Sequence, residues 1–350
     1  MSRTVEYRDL KGRYVLVDVR TPGEFEESTI NGAVNIPLFT NEERALVGTI
    51  YTRECTEKAK RVGVEIVSKR LPEIYNKFCE LEKEYGEVII FCARGGMRSA
   101  SITEFLGSLG VKVRRIKGGY KGYRAYINEE LPKVNEGKKY IVLHGNTGVG
   151  KTEILKDLSA RGCNVLDLEG AANHRGSILG SVGLGDCMTQ KQFESNIFEQ
   201  LSGAKGDYVF VEAESKRIGR VIIPDYIHSA MKNGIHIFVD AHVDFRSRLI
   251  IDEYTKHEQC GEQICSALDS LKKYIGEKNA KAYCELVRAG EYEEVVKELM
   301  IKYYDPLYTH SSDKFEYERN IMVEDIAVAA KELMEYYTIL CHRDKLQDRV

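Results

Sequence analysis

The 350-residue chain has no tryptophan, only six prolines, and no run of eighteen apolar residues. Without such a run there is no candidate for a membrane-spanning helix. Low-complexity tracts are missing too, which argues against a long disordered segment. The opening MSRTVEYRDLKGRY lacks the charged, apolar and small-residue regions of a secretory signal, so the expected location is the cytoplasm. The nine cysteines should therefore be reduced, and the default for each is a buried small hydrophobe. Charge of neither sign is in excess. A net charge of -3 gives no global footprint for a polyanion, so any RNA must be held by local patches.

What is present is ordinary globular sequence, 43% hydrophobic over a length that exceeds what one core usually serves. Two domains are expected. The first part alternates apolar β-rich runs with helical stretches: YVLVDV (14–19), a helix over about 57–85, EVIIF (87–91), a helix after Arg98, and KVRRI (112–116). That alternation predicts a parallel sheet. The polar segment LPKVNEGKK (131–139) predicts a boundary between a domain over 1–134 and a second over 137–350. The second repeats the alternation at KYIVLH (139–144), NVLDL (164–168), DYVFVEA (207–213) and HIFVDA (236–241). The fold class expected is α/β twice over: a P-loop unit over 137–243, with residues 244–350 as a helical extension packed on it.

Cys92 ends EVIIF and opens CARGGMRS (92–99), a glycine-rich turn from strand to helix. Such a loop, formed here by Arg94, Gly95, Gly96, Met97 and Arg98, turns N–H groups inward at a helix N-terminus and binds an anion. The same field favours a thiolate, which makes Cys92 the expected nucleophile. Cys260, Cys265 and His257 lack a fourth ligand at zinc spacing and read as core. A basic cluster without acids, Lys112, Arg114, Arg115, Lys117, Lys121 and Arg124, is interleaved with tyrosines. It reads either as RNA contact or as a solvated basic face.

GNTGVGKT (145–152) satisfies the Walker A pattern and lies between a strand and a helix. Gly145, Asn146, Thr147, Gly148, Val149 and Gly150 supply backbone to phosphates, Lys151 a point charge, and Thr152 an oxygen for Mg²⁺. Glu212 and Glu214 stand where a strand-end acid organises Mg²⁺, a solvated acid being the alternative. In LDLEGAANHRGSILG (166–180), Glu169, His174, Arg175 and Ser177 follow a strand end, where α/β ligands bind, although a capped loop also explains them. ESKRIG (214–219) brings Lys216 and Arg217 to the same edge, as further RNA-binding candidates.

VDVRTPGEF (17–25), INGAVNIP (30–37) and KGGYKGYR (117–124) resemble the signature of rhodanese-like domains, whose cysteine carries a chalcogen atom. Thr29 stands where such domains often have histidine. Arg98 lies six residues after Cys92, a loop wide enough for a tetrahedral anion and matching the spacing of cysteine phosphatases. Those usually have histidine where Phe91 stands, and no general acid is evident. With NEERALVGT (41–49), CARGGMRS, GNTGVGKT, LEGAANHRGS, ESKRIG, FRSRLIIDEY (245–254) and YYDPLY (303–308), in that order, nearly the whole chain resembles the tRNA 2-selenouridine synthase family.

The resemblance implies replacement of sulfur in wobble 2-thiouridine by selenium, through an S-geranyl intermediate. Its substrates are then tRNA, geranyl diphosphate and selenophosphate, with a selenophosphate synthase as supplier. The P-loop is implied to hold geranyl diphosphate, and Cys92 to carry selenium as S-selanylcysteine. Two rivals belong to other classes. One is a sulfurtransferase or cysteine phosphatase fused to an ATP-dependent small-molecule kinase; the other is a non-catalytic rhodanese-like regulator, against which the intact Cys92 loop speaks.

Overall fold

The computed structural model describes residues 3–176, 182–255, 260–306 and 315–347. The chain parts into two compact units between Leu131 and Pro132.

The first unit runs β1 (Thr4–Val5), β2 (Val15–Asp18), α1 (Pro22–Glu27), β3 (Val34–Asn35), α2 (Asn41–Arg53), α3 (Thr56–Ser68), α4 (Leu71–Tyr85), β4 (Val88–Phe91), α5 (Met97–Ser108), β5 (Val113–Ile116) and α6 (Gly119–Asn135). Its sheet is parallel throughout, in the order β1-β5-β4-β2-β3. The two central strands, VLVD and VIIF, are buried along their whole length, which is why they read as unbroken apolar runs. Asp18 pairs with Phe91, so the loops after β2 and β4 leave the sheet side by side.

The single helix expected over 57–85 is two. α3 stops at Ser68 and α4 starts at Leu71, with Pro72 in its first turn, where a missing N–H costs nothing. A separate α2 precedes them, started by a Thr40–Glu43 capping box. The polar segment 131–139 is not a coil either. α6 continues through Pro132 to Asn135, and only Glu136, Gly137 and Lys138 separate it from the next strand.

The second unit runs β6 (Lys139–His144), α7 (Lys151–Ala160), β7 (Val165–Leu166), α8 (Leu168–Ala172), α9 (Gln190–Gly203), β8 (Tyr208–Glu212), β9 (Arg217–Ile218), β10 (Val221–Ile222), α10 (Asp225–Lys232), β11 (Ile235–Asp240), α11 (Val243–Tyr254), α12 (Cys260–Ile275), α13 (Glu277–Ala289), α14 (Tyr292–Leu299), a π turn (Met300–Tyr304), β12 (Arg319–Met322) and α15 (Ile326–Gln347). Its main sheet is parallel, in the order β12-β11-β6-β8-β7, while β9 and β10 form a small antiparallel pair.

The expectation of an all-helical segment after Phe245 is corrected here. β12 pairs in parallel with β11 and forms one edge of the sheet. As an edge strand it buries only Ile321, so ERNIMVED carries no apolar run to betray it. α15 then packs against α7, with Ala330, Leu333 and Leu340 in one core with Ile154, Leu155 and Leu158. Among the described residues α11–α14 and the π turn form a helical annex, whose own core includes Leu268, Tyr283, Val295 and Leu299. Cys265 is buried in that core, its thiol pointing at the Cys284 carbonyl oxygen, while His257 lies outside the described residues. Among the described residues no helix is long and apolar enough to cross a membrane.

Candidate functional site

In the first unit the VDVR motif builds the floor under the cysteine loop. Asp18 and Arg20 form a buried ion pair, with Arg20 Nη2 2.6 Å from Asp18 Oδ2 and donating again to the Ser28 carbonyl at 2.6 Å. A buried pair persists only when its remaining groups are satisfied. Thr29 helps do that, its hydroxyl donating to Asp18 Oδ2 at 3.0 Å.

Cys92 follows β4 and is buried, its Sγ 3.1 Å from the Ser99 hydroxyl in the first turn of α5. Ser99 closes the CARGGMRS string, but nothing in the sequence marked its hydroxyl as a partner for the sulfur. The loop's carbonyls are occupied from outside. Tyr120 N–H donates to the Cys92 carbonyl at 2.8 Å, Lys121 N–H to that of Ala93 at 2.9 Å, and Arg115 Nη1 to that of Gly95 at 3.1 Å. The N–H groups of Ala93, Arg94, Gly95 and Gly96 donate to no protein acceptor among the described residues, as an anion cradle requires. Only glycine fits at 119, where a Cβ would stand 2.1 Å from the Cys92 carbonyl oxygen. KGGYKGYR is thus the back wall of the cysteine loop.

Arg98, expected to serve the anion loop, lies close enough to Cys92 for the two to interact electrostatically. Its guanidinium is held by Glu24 at 2.6 and 3.1 Å. Burial would push the Glu24 carboxyl up, but the hydrogen bonds and charge of Arg98 outweigh it and hold the carboxyl below its usual range. An anion entering the loop must compete with Glu24 for Arg98. Met97 and Arg94 are exposed at the loop's mouth.

The basic cluster also divides. Arg114 is clamped to Glu87, Lys117 is paired with Glu6 at 2.9 Å, Arg115 supports the cysteine loop, and Arg124 is buried beside Asn128. The acids come from distant sequence, which is why the stretch looked unneutralised. Lys112 and Lys121 remain exposed. In the second unit Lys216 pairs with Asp225, and exposed Arg217 donates to the Gly219 carbonyl at 3.0 Å.

The Walker A loop follows β6 and opens α7 at Lys151. Lys151 Nζ folds onto its own loop, donating to the carbonyls of Gly145 at 2.9 Å and Asn146 at 3.3 Å, and Thr152 donates to Glu212 Oε1 at 2.8 Å. The loop is braced from the annex by Arg246. This buried guanidinium donates from Nε to the Thr147 carbonyl at 2.9 Å and grips Asp305 at 2.6 and 3.0 Å. FRSRLIIDEY and YYDPLY had no assigned role in the sequence; their Arg246 and Asp305 meet here. Arg175 likewise turns to the annex, to Glu253 at 2.7 Å and over the Tyr254 ring, rather than to the phosphate loop.

Glu169 of α8, Glu212 at the end of β8 and Glu214 just beyond bring carboxylate oxygens within 4.8 Å of one another. Gly176 covers them, since a Cβ there would lie 2.8 Å from Glu214 Oε2. Burial first, and then mutual repulsion for Glu169 and Glu214, pushes these carboxyls well above the glutamate range, while the Lys151 charge opposes the shift. These hard oxygen donors beside Thr152 suit Mg²⁺. His174 packs against Gly219, so LEGAANHRG and ESKRIG do meet; its Nδ1 is buried with no partner among the described residues, and burial lowers its pKa. Ser177 lies outside the described residues.

The carboxylate cluster predicts a pH-dependent stability. The unfolded chain ionises these groups in the ordinary range, whereas the fold holds protons on them. Without divalent cation, thermal stability should therefore fall as pH rises from about 5 through neutrality to about 9. Mg²⁺ should flatten most of that decline, because it replaces the protons. Melting curves at about pH 6 and about pH 9, with and without Mg²⁺, check this; parallel declines would remove the cluster as a metal site.

Beside the phosphate loop lies an apolar cavity, bordered by Thr147 and lined by Ile250 and Tyr254 of α11, Ile264 of α12, Val287 of α13 and Val295 of α14.

A parallel sheet with a cysteine in an anion loop, joined to a phosphate-loop α/β unit, defines the class: a rhodanese-like domain fused to a P-loop domain. Comparisons agree, as the rhodanese-like domain family matches residues 5–126 and the tRNA 2-selenouridine synthase AAA domain matches residues 138–339. A tRNA 2-selenouridine synthase of Sulfurovum sp. is 31% identical over 85% of this chain and 89% of its own length. That of Hydrogenovibrio crunogenus is also 31% identical, with the same coverage. The solved N-terminal domain of a protein described as ATP/GTP binding, from Clostridium difficile 630, is 44% identical over 35% of this chain and 98% of that one, with a TM-score of 0.35. The chain belongs to the tRNA 2-selenouridine synthase family.

Proposed function

We propose that this chain converts 2-thiouridine at the wobble position of tRNA into 2-selenouridine in two steps, geranylation at the P-loop and selenation at the cysteine loop. The observation that carries the reading is the pairing of a phosphate loop with an apolar cavity at Thr147. A nucleotide would bring a base and ribose whose hydrogen-bonding groups that wall leaves unpaired. Geranyl diphosphate brings a diphosphate for the loop and hydrocarbon for the cavity.

In the first step the thiocarbonyl sulfur attacks C1 of the geranyl group, and the C1–O bond breaks with its electrons leaving on diphosphate. Lys151 and the loop N–H groups stabilise that charge. Thr152 and the Glu169, Glu212 and Glu214 carboxylates would hold Mg²⁺, which supplies further neutralising charge. In the second step the Cys92 thiolate attacks the selenium of selenophosphate, made by a selenophosphate synthase, and the Se–P bond breaks with phosphite leaving, so that the sulfur carries selenium as S-selanylcysteine. That selenium attacks C2 of the base, the C2–S bond breaks with geranyl thiol leaving, and a thiol reductant cleaves the remaining Se–S bond to free 2-selenouridine and Cys92. Exposed Lys112, Lys117, Lys121, Lys216 and Arg217 are the basic candidates for tRNA phosphates. On this reading the protein works in the cytoplasm.

The test is reconstitution from purified chain, tRNA bearing 2-thiouridine, geranyl diphosphate, selenophosphate and a thiol reductant, with nucleosides read by mass. Geranylated and then selenated uridine should appear in that order. Selenation without geranyl diphosphate, or phosphate transfer from ATP to a small substrate, would overturn the reading.

A further inference from the structure

Ser99 is fully buried in the first turn of α5, and its hydroxyl has two neighbours able to accept its proton. One is Cys92 Sγ at 3.1 Å, the other the Gly96 carbonyl oxygen at 3.4 Å. That carbonyl already accepts the Ala100 N–H at 3.0 Å, so the fold does not need the hydroxyl there. Nor does the hydroxyl cap the helix, whose N-cap is Gly96, with no side chain bonded to the first N–H groups. Among the described residues no other side chain hydrogen-bonds to the Cys92 sulfur. The sulfur is buried, so a negative charge on it depends on protein donors more than on water. As a thiol, Cys92 donates to Ser99 and Ser99 to Gly96. As a thiolate, it accepts from Ser99, whose O–H turns away from Gly96.

We propose that Ser99 is a positioning residue for the selenium step, its hydroxyl holding the Cys92 sulfur in the charged form that attacks selenophosphate. The inference rests on the reading in which Cys92 attacks selenium. The thiol proton passes to solvent, the S–Se bond forms, and the Se–P bond breaks with its electrons leaving on phosphite, while Ser99 keeps its own proton. A hydrogen bond to the charged sulfur is stronger than one to the neutral form, so its loss should move the pH dependence of attack up by about one unit. A thiolate without that bond is also the stronger nucleophile, by about threefold for one unit. The charged and titratable groups facing the loop keep their partners when Ser99 is changed. Arg98 stays with Glu24 of α1, and Arg20 with Asp18 of β2. Arg115 of β5 stays on the Gly95 carbonyl, and Tyr120 of α6 meets the loop through its N–H.

The test follows two rates in the full chain: alkylation of Cys92 by iodoacetamide across pH, located by peptide mass, and release of phosphite from selenophosphate at a pH below the alkylation midpoint. Ser99→Ala should be alkylated about threefold more slowly than wild type below both midpoints and about threefold faster above them, so that the two curves cross. Phosphite release should slow by about the same threefold. A loop that is merely misbuilt lowers the rate at every pH and gives no crossing. Ser99→Thr keeps the hydroxyl and should keep the wild-type curve. Ser99→Gly also lacks the hydroxyl and decides the matter if Ser99→Ala does not fold. An unmoved curve, or one lowered at every pH, in the variants without the hydroxyl overturns the role of Ser99, and a threonine curve that moves with that of alanine does the same. Wild type that is alkylated at Cys92 yet releases no phosphite overturns attack on selenium instead.

Discussion

Cys92→Ser should stop selenation and let S-geranyl-2-thiouridine accumulate to the level of the input tRNA. The substitution keeps the size and hydrogen-bonding capacity of the residue, and Ser99 can still bond the new hydroxyl, so the loop should stay folded. What it removes is a sulfur able to bond selenium at neutral pH. A serine hydroxyl has no base beside it to replace that reactivity, and a drop of roughly a thousandfold or more is expected. Geranyl transfer has no use for a protein thiol, because the thiocarbonyl sulfur of the base is itself the nucleophile. The geranylation rate should therefore match wild type. Mass spectrometry of nucleosides reads both quantities in one sample, and 2-selenouridine formed at the wild-type rate would end the covalent role of Cys92.

The anion released reports how the thiol acts. If Cys92 attacks selenium, the Se–P bond breaks with its electrons on phosphorus, and phosphite leaves. The selenium then stands one two-electron step above selenide, so its final release consumes a thiol reductant. If the thiol attacks phosphorus instead, selenide leaves, and hydrolysis of the phosphorylated cysteine yields phosphate without reductant. Phosphite with thiol consumption supports S-selanylcysteine. Phosphate alone moves the role of Cys92 to phosphorus.

The two loops were legible in the sequence because each obeys a local rule. A strand, a glycine turn and a helix follow one another within a dozen or so residues, and burial on both faces makes VIIF and KYIVLH unbroken apolar runs. What escaped depends on contacts between distant positions. Nothing near Arg98 in the sequence shows that Glu24, supplied by α1, pairs with its guanidinium. Nothing in the basic stretch shows that Glu87 pairs with Arg114. Arg246 and Asp305 carry no local signal at all, since each alone is an ordinary charged residue on a helical stretch. β12 was missed for a related reason: an edge strand with one buried side chain has no period to detect. The apolar cavity is likewise the product of several helices, and no single one of them displays it.

Lys151→Ala should have the opposite profile to Cys92→Ser. Among the described residues Lys151 donates only to carbonyls of its own loop, and its charge faces the Glu169, Glu212 and Glu214 cluster. Its loss leaves no buried cation behind, so the fold should survive while the carboxyls hold their protons more firmly. What is lost is the charge that meets the departing diphosphate. Removing one such preorganised donor costs roughly a hundredfold to a thousandfold in rate, and geranylation should fall by that amount. Selenation needs no diphosphate chemistry once the geranyl group is in place. Given tRNA that already bears S-geranyl-2-thiouridine, the variant should form 2-selenouridine close to the wild-type rate. Both substrates would be assayed in parallel with selenophosphate present. Equal failure on both would mean that the phosphate loop also serves the selenium step, and the division of labour between the two units would be wrong.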